Sequence, residues 1–206
     1  MMINLLKSIL IIISLICSNV FGQTINRYGT TAANFLEIGV GSRATSMGDA
    51  YVAVANDVSS IYWNPAGLSN VSNSSALFMV QPWLVDIDML FAGGAVVVPN
   101  VGVLGLGITH LNYGEMDVTN LEYQDGTGER FGASDMAATF TFSRKIVSWF
   151  SFGSSMKYIS SNIWHSSASA FAVDLGVLVN TKFFSFTGND KDGMNIGMSI
   201  SNYGTR

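Results

Sequence analysis

The sequence predicts an all-β fold, namely an antiparallel transmembrane β-barrel that is partial, with about seven strands and an amino-terminal plug segment. Charged residues make up 12% of the 206 residues and hydrophobic residues 49%, whereas a soluble domain carries roughly 25% charged residues. Apolar side chains alternate with small polar ones from about residue 74 onward. The one long apolar run, residues 9–17, is interrupted by Ser14 and is shorter than the roughly 20 residues of a spanning helix. An apolar exported chain without such a helix is expected to form a β-barrel.

The amino terminus has the pattern of a secretory signal peptide. Lys7 precedes the short apolar run, and Val20-Phe21-Gly22 supplies the −3 to −1 pattern of a cleavage site, with the small Gly22 at −1. We therefore expect residues 1–22 to be removed before Gln23. Cys17 could instead be a lipidated cysteine, although Ile16 stands where a small residue is required.

Alternation is clearest in residues 170–179, where Phe171, Val173 and Leu175 point to one face and Ala172, Asp174 and Gly176 to the other. The same period predicts strands at 74–85, 87–98, 101–119, 131–144, 149–162, 166–180 and 193–203. The outer face of a soluble sandwich normally carries Lys, Glu and Thr. Here the polar faces are mostly Gly, Ser, Ala and Asn, which favours lipid outside and a crowded interior. Residues 99–100 and 145–148 predict tight turns, and the long polar stretch 120–130 predicts an external loop.

The preceding region does not alternate, so we expect residues 23–72 to form a plug and residues 73–206 to form the barrel wall. Asp57 is expected to cap a short helix that begins near Ser59. Asn64-Pro65 should end this helix, because the residue before a proline avoids the helical region. Gly67 then permits a turn into the first strand.

Three blocks of this region, residues 35–43 (FLEIGVGSR), 47–51 (MGDAY) and 61–68 (IYWNPAGL), resemble the opening of PorV/PorQ outer-membrane barrels. That family is related to the long-chain fatty acid transporter FadL, which shares the Asn-Pro-Ala-Gly element. The resemblance implies a plug motif made of Arg43, Met47, Gly48, Asp49, Asn64, Pro65, Ala66 and Gly67.

The resemblance implies a role in type IX secretion at the bacterial outer membrane rather than an enzyme. Its implied partners are outer-membrane lipid, the secreted cargo that it binds or shuttles, and a surface attachment machinery. The alternative is passive FadL-like transport of a hydrophobic small molecule, and a purely structural barrel is a third possibility. A net charge of −4 without a basic stripe argues against a nucleic-acid partner.

The motifs that suggest chemistry are weak. Gly39-x-Gly41-x-x-Ala44 resembles a dinucleotide fingerprint but lacks the βαβ unit that the fingerprint requires. His110 and His165 have no partner at metal-ligand spacing, and no Gly-x-Ser-x-Gly elbow is present. We therefore expect no catalytic residue, no metal and no cofactor.

Two charged sites give testable expectations. A cation inside a barrel is costly unless it is paired, so Arg43 should lie in the lumen within hydrogen-bonding reach of a carboxylate or several backbone carbonyls. Lys157 and Asp174 should form a lumenal pair, lying directly opposite each other if their hairpin turns about His165-Ser166.

We also expect the chain to be incomplete, because single-chain bacterial barrels use an even number of strands. On that expectation the first and last strands do not pair, and the remaining strands of the barrel are encoded downstream.

Overall fold

The computed structural model describes residues 33–85, 87–185, 187 and 193–204. The expected signal peptide and the first part of the expected plug, residues 23–32, lie outside the described residues.

In the part of the chain that the structure describes, seven strands form one antiparallel sheet in chain order. The strands are β1 (Ser75–Pro82), β2 (Asp88–Val98), β3 (Gly102–Asp117), β4 (Arg130–Val147), β5 (Phe150–Ile163), β6 (Ser166–Asn180) and β7 (Asn195–Gly204). The predicted all-β fold and its seven strands are confirmed. β1 and β7 do not pair with each other within the described residues, so the sheet is open.

The largest boundary differences are at β1 and β4. β1 stops at Pro82 rather than residue 85, and Trp83 then closes a turn by donating its backbone N–H to the Ile87 carbonyl at 2.8 Å. β4 continues to Val147 because its pairing with β5 resumes after an irregularity next to Lys145.

Residues 33–72, called here the amino-terminal segment, contain four short helices. They are the 3-10 helix Asn34–Glu37, the α-helices Ser42–Ser46 and Ser60–Trp63, and the 3-10 helix Pro65–Asn70. The segment packs on one face of the sheet, mainly against β3 to β6. None of the helices in the described residues is long and apolar enough to cross a membrane.

The third helix begins and ends where the sequence indicates. The Asp57 carboxylate accepts the Ser59 backbone N–H at 2.9 Å, and Asn64 follows the helix in an extended conformation with φ −158°. The expectation for Gly67 was wrong, because it lies within a helix and not in a turn. A side chain at Gly67 would collide with the Ala55 carbonyl oxygen, so close packing requires the glycine there.

The two faces of the sheet are the reverse of those in a water-soluble protein: polar side chains lie on the covered face, and large apolar side chains lie on the exposed face. The covered face is rich in buried polar side chains, which include Thr139, Thr141, Ser143, Ser151, Ser155, Lys157 and Asp174. The opposite face exposes large apolar side chains, which include Phe78, Leu106, Ile108, Phe140, Met156, Tyr158, Phe171, Val173, Leu175, Ile196, Met198 and Ile200. A continuous apolar surface of this kind marks a face that meets something other than water.

An apolar cluster joins the amino-terminal segment to the first part of the sheet. It includes Phe35, Val40, Ile61, Leu68, Met89, Phe91 and Val103, all buried. The segment is therefore attached to β2 and β3 by apolar contact and, farther along the sheet, by the polar contacts described below.

The turn between β5 and β6 lies one residue before its predicted position. Ile163 pairs with Ser166, so the loop is the two residues Trp164–His165. Trp164 adopts φ 51°, a conformation that glycine usually supplies at this position of a two-residue hairpin. The Trp164 ring stacks on the ring of His165, with centroids 4.7 Å apart.

The predicted tight turns and long loop are present, as the short turns 99–101 and 148–149 at one end of the sheet and the connection 118–129 at the other. The two-residue β5–β6 turn lies at the same end as the long connection 118–129.

Candidate functional site

Two aromatic side chains of the third helix hold the first part of the amino-terminal segment in place. The Tyr62 hydroxyl donates to the Leu36 carbonyl at 2.6 Å, and a second acceptor, the Ile38 carbonyl, lies at 2.9 Å. The Trp63 indole N–H donates to the Val40 carbonyl at 2.8 Å. These bonds join the first block of the sequence motif to the third.

The second block packs on the same helix through Tyr51. Its ring meets the Trp63 ring edge-on, with centroids 6.2 Å apart, and its hydroxyl lies 3.4 Å from an Asp57 carboxylate oxygen. Burial raises the pKa of Tyr51, and the Asp57 charge raises it further. Burial also raises the pKa of Tyr62, with a smaller contribution from the negative charges of nearby carboxylates, Asp49 first. Both hydroxyls are therefore protonated donors at neutral pH.

Asn64 connects the amino-terminal segment to the sheet. It is fully buried, and its Oδ1 accepts the backbone N–H of Ala66 at 3.0 Å, which starts the helix that follows. Its Nδ2 donates to the Val52 carbonyl at 2.9 Å and to the Val177 carbonyl of β6 at 3.1 Å. One amide thus satisfies three backbone groups, so a side chain without both donor and acceptor cannot replace it.

Pro65 and Ala66 lie directly on the backbone of the sheet. Beneath them is a row in which Ser143 of β4 pairs with Gly153 of β5, which pairs with Gly176 of β6. A Cβ atom at Gly153 would collide with the backbone of Pro65 and Ala66, and one at Gly176 with the Asn64 side chain. Glycine in a strand often marks such a close approach.

Ser143 completes this contact. Its hydroxyl donates to the Ala66 carbonyl at 3.1 Å and is buried. The sequence reasoning did not identify Ser143, because a small polar residue on the covered face has no feature that distinguishes it from its neighbours. Gly67, on the far side of the same helix, packs against Ala55.

The other four motif residues lie apart from this junction and are exposed. Met47 and Gly48 follow the Ser42–Ser46 helix, and Gly48 at φ 63° makes the left-handed turn that commonly ends a helix. Asp49 continues this turn at φ 64°, with its carboxylate over Gly39.

The prediction for Arg43 was wrong. Arg43 is exposed, its Nη1 donates to the Asn56 amide oxygen at 3.0 Å, and its guanidinium lies 5.4 Å from the Tyr51 ring centroid. The Asp57 carboxylate is engaged by Ser59 and Tyr51 instead. Arg43 therefore gives no support for the plug assignment, which depends on the contacts of residues 64–67.

Lys157 and Asp174 form a buried ion pair, with Nζ and Oδ2 2.8 Å apart and side chains 4% and 1% exposed. The predicted register was wrong: Lys157 faces Ala172, and Asp174 faces Ser155. The pair is diagonal, because the hairpin turns one residue earlier than predicted. The long lysine side chain spans this diagonal.

Asn202 of β7 completes the environment of this ion pair. Its Oδ1 accepts from Lys157 Nζ at 2.8 Å, and its backbone N–H donates to Asp174 Oδ1 at 2.7 Å. It adopts φ 58° at a bulge where the β6–β7 register shifts between Val173 and Leu175. The sequence reasoning missed Asn202, although asparagine is among the residues that tolerate this conformation.

No group of three or more His, Cys, Asp or Glu side chains that could hold a metal occurs among the described residues. Residues 64–67 attach the amino-terminal segment to the sheet, and Lys157 and Asp174 form an ion pair on the polar, covered face. A sheet with an apolar outer face and a helical segment attached to its polar face is the architecture that the PorV resemblance implies.

Comparison with known families decides the assignment. The model of the family described as type IX secretion system protein PorV matches residues 21–206. The chain belongs to the PorV family. PorV proteins are outer-membrane components of type IX secretion and are not a known enzyme family. A search of curated proteins finds no match to this chain.

Proposed function

We propose that this PorV-family chain forms part of an outer-membrane β-barrel that binds secreted cargo and shuttles it at the cell surface. The observation that supports this most directly is the inverted burial of the sheet. Its uncovered face exposes apolar side chains on successive strands, for example Leu106, Phe140 and Met156, as a wall in contact with outer-membrane lipid requires.

Under this proposal the regions of the chain have separate roles. Residues 1–22 are the signal peptide that exports the chain, residues 23–72 are the plug, and residues 73–206 belong to the barrel wall. The motif residues Asn64 to Gly67 attach the plug to the wall, and the lumenal pair of Lys157 and Asp174 lies on the inner face.

The attachment of the plug favours a binding role over FadL-like passage of hydrophobic molecules. Asn64 and Ser143 bond the segment directly to β6 and β4, and glycines below it let the backbones touch. Opening a path between the segment and these strands would break several buried hydrogen bonds at once, each leaving a polar group unsatisfied.

Affinity capture of the intact protein from outer-membrane extracts tests the proposal. The bait is a secreted protein that carries its carboxy-terminal type IX signal, and the control is the same protein without that signal. We expect capture only by the first bait. If neither bait captures the protein while hydrophobic small molecules co-purify with it, passive transport is the correct function and cargo binding is wrong.

A further inference from the structure

A cavity of about 440 Å³, lined by both polar and apolar side chains, lies where the amino-terminal segment meets the end of the sheet at which β6 ends and β7 begins. Its lining comprises Arg43, Ala53, Val54, Ala55, Asn56, Asn70, Leu178, Asn180 and Asn195. Neither the attachment of the plug at Asn64 nor the Lys157 ion pair involves this cavity. Its volume is within the range of ligand sites, about 300–1,000 Å³.

Three side chains of the cavity offer hydrogen-bond donors. The guanidinium of Arg43 has five N–H groups, and its one hydrogen bond to a described residue goes to Asn56 Oδ1. This bond leaves the Asn56 amide nitrogen as a donor. Asn195 accepts from Asn180 Nδ2 at 2.8 Å, which leaves the Asn195 nitrogen as a donor as well.

The charge of the cavity is positive. Among the described residues that line it, Arg43 is the charged one, and no Asp or Glu is present. The Tyr51 ring beside Arg43 fixes the position of the guanidinium without neutralising it. A planar guanidinium with free N–H groups is suited to a carboxylate, which it binds through two parallel hydrogen bonds.

One acceptor in the cavity also lacks a partner among the described residues. Asn180 Oδ1 is buried and accepts no hydrogen bond from them, and such a group is unfavourable unless water or a ligand supplies a donor. A ligand that fits therefore offers an anionic oxygen to Arg43 and an N–H to Asn180. A peptide carrying a carboxylate has both groups, whereas phosphate and simple carboxylates have no N–H.

We propose that this cavity binds a carboxylate-bearing peptide segment, with the carboxylate on Arg43 and a backbone N–H on Asn180 Oδ1. The carboxylate is either a chain terminus or an Asp or Glu side chain. This site goes beyond the proposed cargo role, since the proposal does not require the peptide to come from secreted cargo.

Calorimetric titration of the intact protein in detergent micelles tests the proposal with defined probes. Acetyl-Ala-Ala-Ala supplies a terminal carboxylate, acetyl-Ala-Asp-Ala-amide supplies a side-chain carboxylate, and acetyl-Ala-Ala-Ala-amide supplies none. We expect at least one acid to bind about tenfold or more tightly than the neutral amide, because only an acid makes the charge-assisted bond. The tighter acid identifies the source of the carboxylate.

Methylation of the peptide nitrogens of the binding acid tests the second contact, since it removes the N–H meant for Asn180 and should weaken binding. Inorganic phosphate serves as the anion without a peptide group. If phosphate binds as tightly as the peptide, or if the acids and the neutral amide bind equally or not at all, the proposal is wrong.

Arg43→Gln should weaken binding of the acid about tenfold or more, because the amide keeps hydrogen bonding but removes the charge. Arg144→Gln is the matched control, since Arg144 is an exposed arginine at the same end of the sheet but outside the lining. An equal effect of the two variants would overturn the proposal. If Arg43→Gln fails to fold, the comparison of the acid, amide and phosphate probes on the wild-type protein still tests the proposal. Capture of cargo by Arg43→Gln tests the proposed function separately.

Discussion

At the scale of single residues, the ion pair of Lys157 and Asp174 should have a large effect on stability when one partner is lost. Asp174→Asn keeps an oxygen to accept from Asn202 but leaves the buried Lys157 charge unpaired. We expect the free energy of unfolding to fall by about 3–5 kcal/mol, measured by urea unfolding of the protein in lipid vesicles.

The double variant Lys157→Met with Asp174→Asn removes both charges and should recover most of this loss. The exposed pair of Arg130 and Asp117 is the control, with Nε and Oδ1 2.9 Å apart. Asp117→Asn should leave the unfolding midpoint unchanged, because water solvates an exposed arginine. If Asp174→Asn behaves like Asp117→Asn, the Lys157 pair is not buried in the folded protein.

Sequence reasoning found the two charges of this pair, because a polar period-2 face places both on the same side. It could not find their true partners. The position of Asp174 relative to Lys157 depends on a turn at Trp164, and nothing in the local sequence marks a tryptophan with positive φ as a turn residue. Asn202 enters the network only through a bulge in β7.

At the scale of secondary-structure elements, the close approach of the Pro65–Asn70 helix to the sheet should make Gly176 intolerant of any side chain. Gly176→Ala places a methyl group against Asn64 and Pro65, and we expect a loss of about 1–3 kcal/mol. Hydrogen exchange at the Ala66 amide should accelerate, because that amide depends on the position of Asn64.

Gly94→Ala is the matched control on the opposite face of the sheet. The nearest atom to an added Cβ there, Ser75 O, is 4.0 Å away, so the stability should change by less than about 0.5 kcal/mol. Equal effects of the two substitutions would mean that the amino-terminal segment does not lie on β6 in solution.

Strand positions could be predicted from the sequence because the two faces of the sheet carry different residue types, large apolar side chains on the exposed face and small or polar ones on the covered face. The helix start just after Asp57 and Ser59 and its end at Asn64 could also be predicted, since both depend on local backbone chemistry. The bonds from Asn64 to Val177 and from Ser143 to Ala66 could not, because they join residues 113 and 77 positions apart and require the register of the whole sheet.

At the scale of the whole molecule, the uncovered face of the sheet should respond to charge according to depth in the membrane. Met156 lies on this face in the middle of β5. Met156→Arg should cost about 2–4 kcal/mol in lipid vesicles, measured by reversible urea unfolding.

Asn162→Arg is the control, on the same strand and face but six residues farther along, about 20 Å by strand geometry. Near the membrane surface the same arginine should cost about 0–1 kcal/mol. A cost that does not differ between the two positions would show that this face does not meet a bilayer, and the outer-membrane placement would have to be abandoned.

The contacts of Asn64, Pro65 and Ala66 are divided among β4, β5 and β6, and this division sets an order of folding. Each strand pairs with its neighbour in sequence, so hairpins close short loops and can form one after another. The surface that the amino-terminal segment contacts is incomplete until all three strands are adjacent. We therefore expect the segment to dock last, after β4, β5 and β6 have paired with one another.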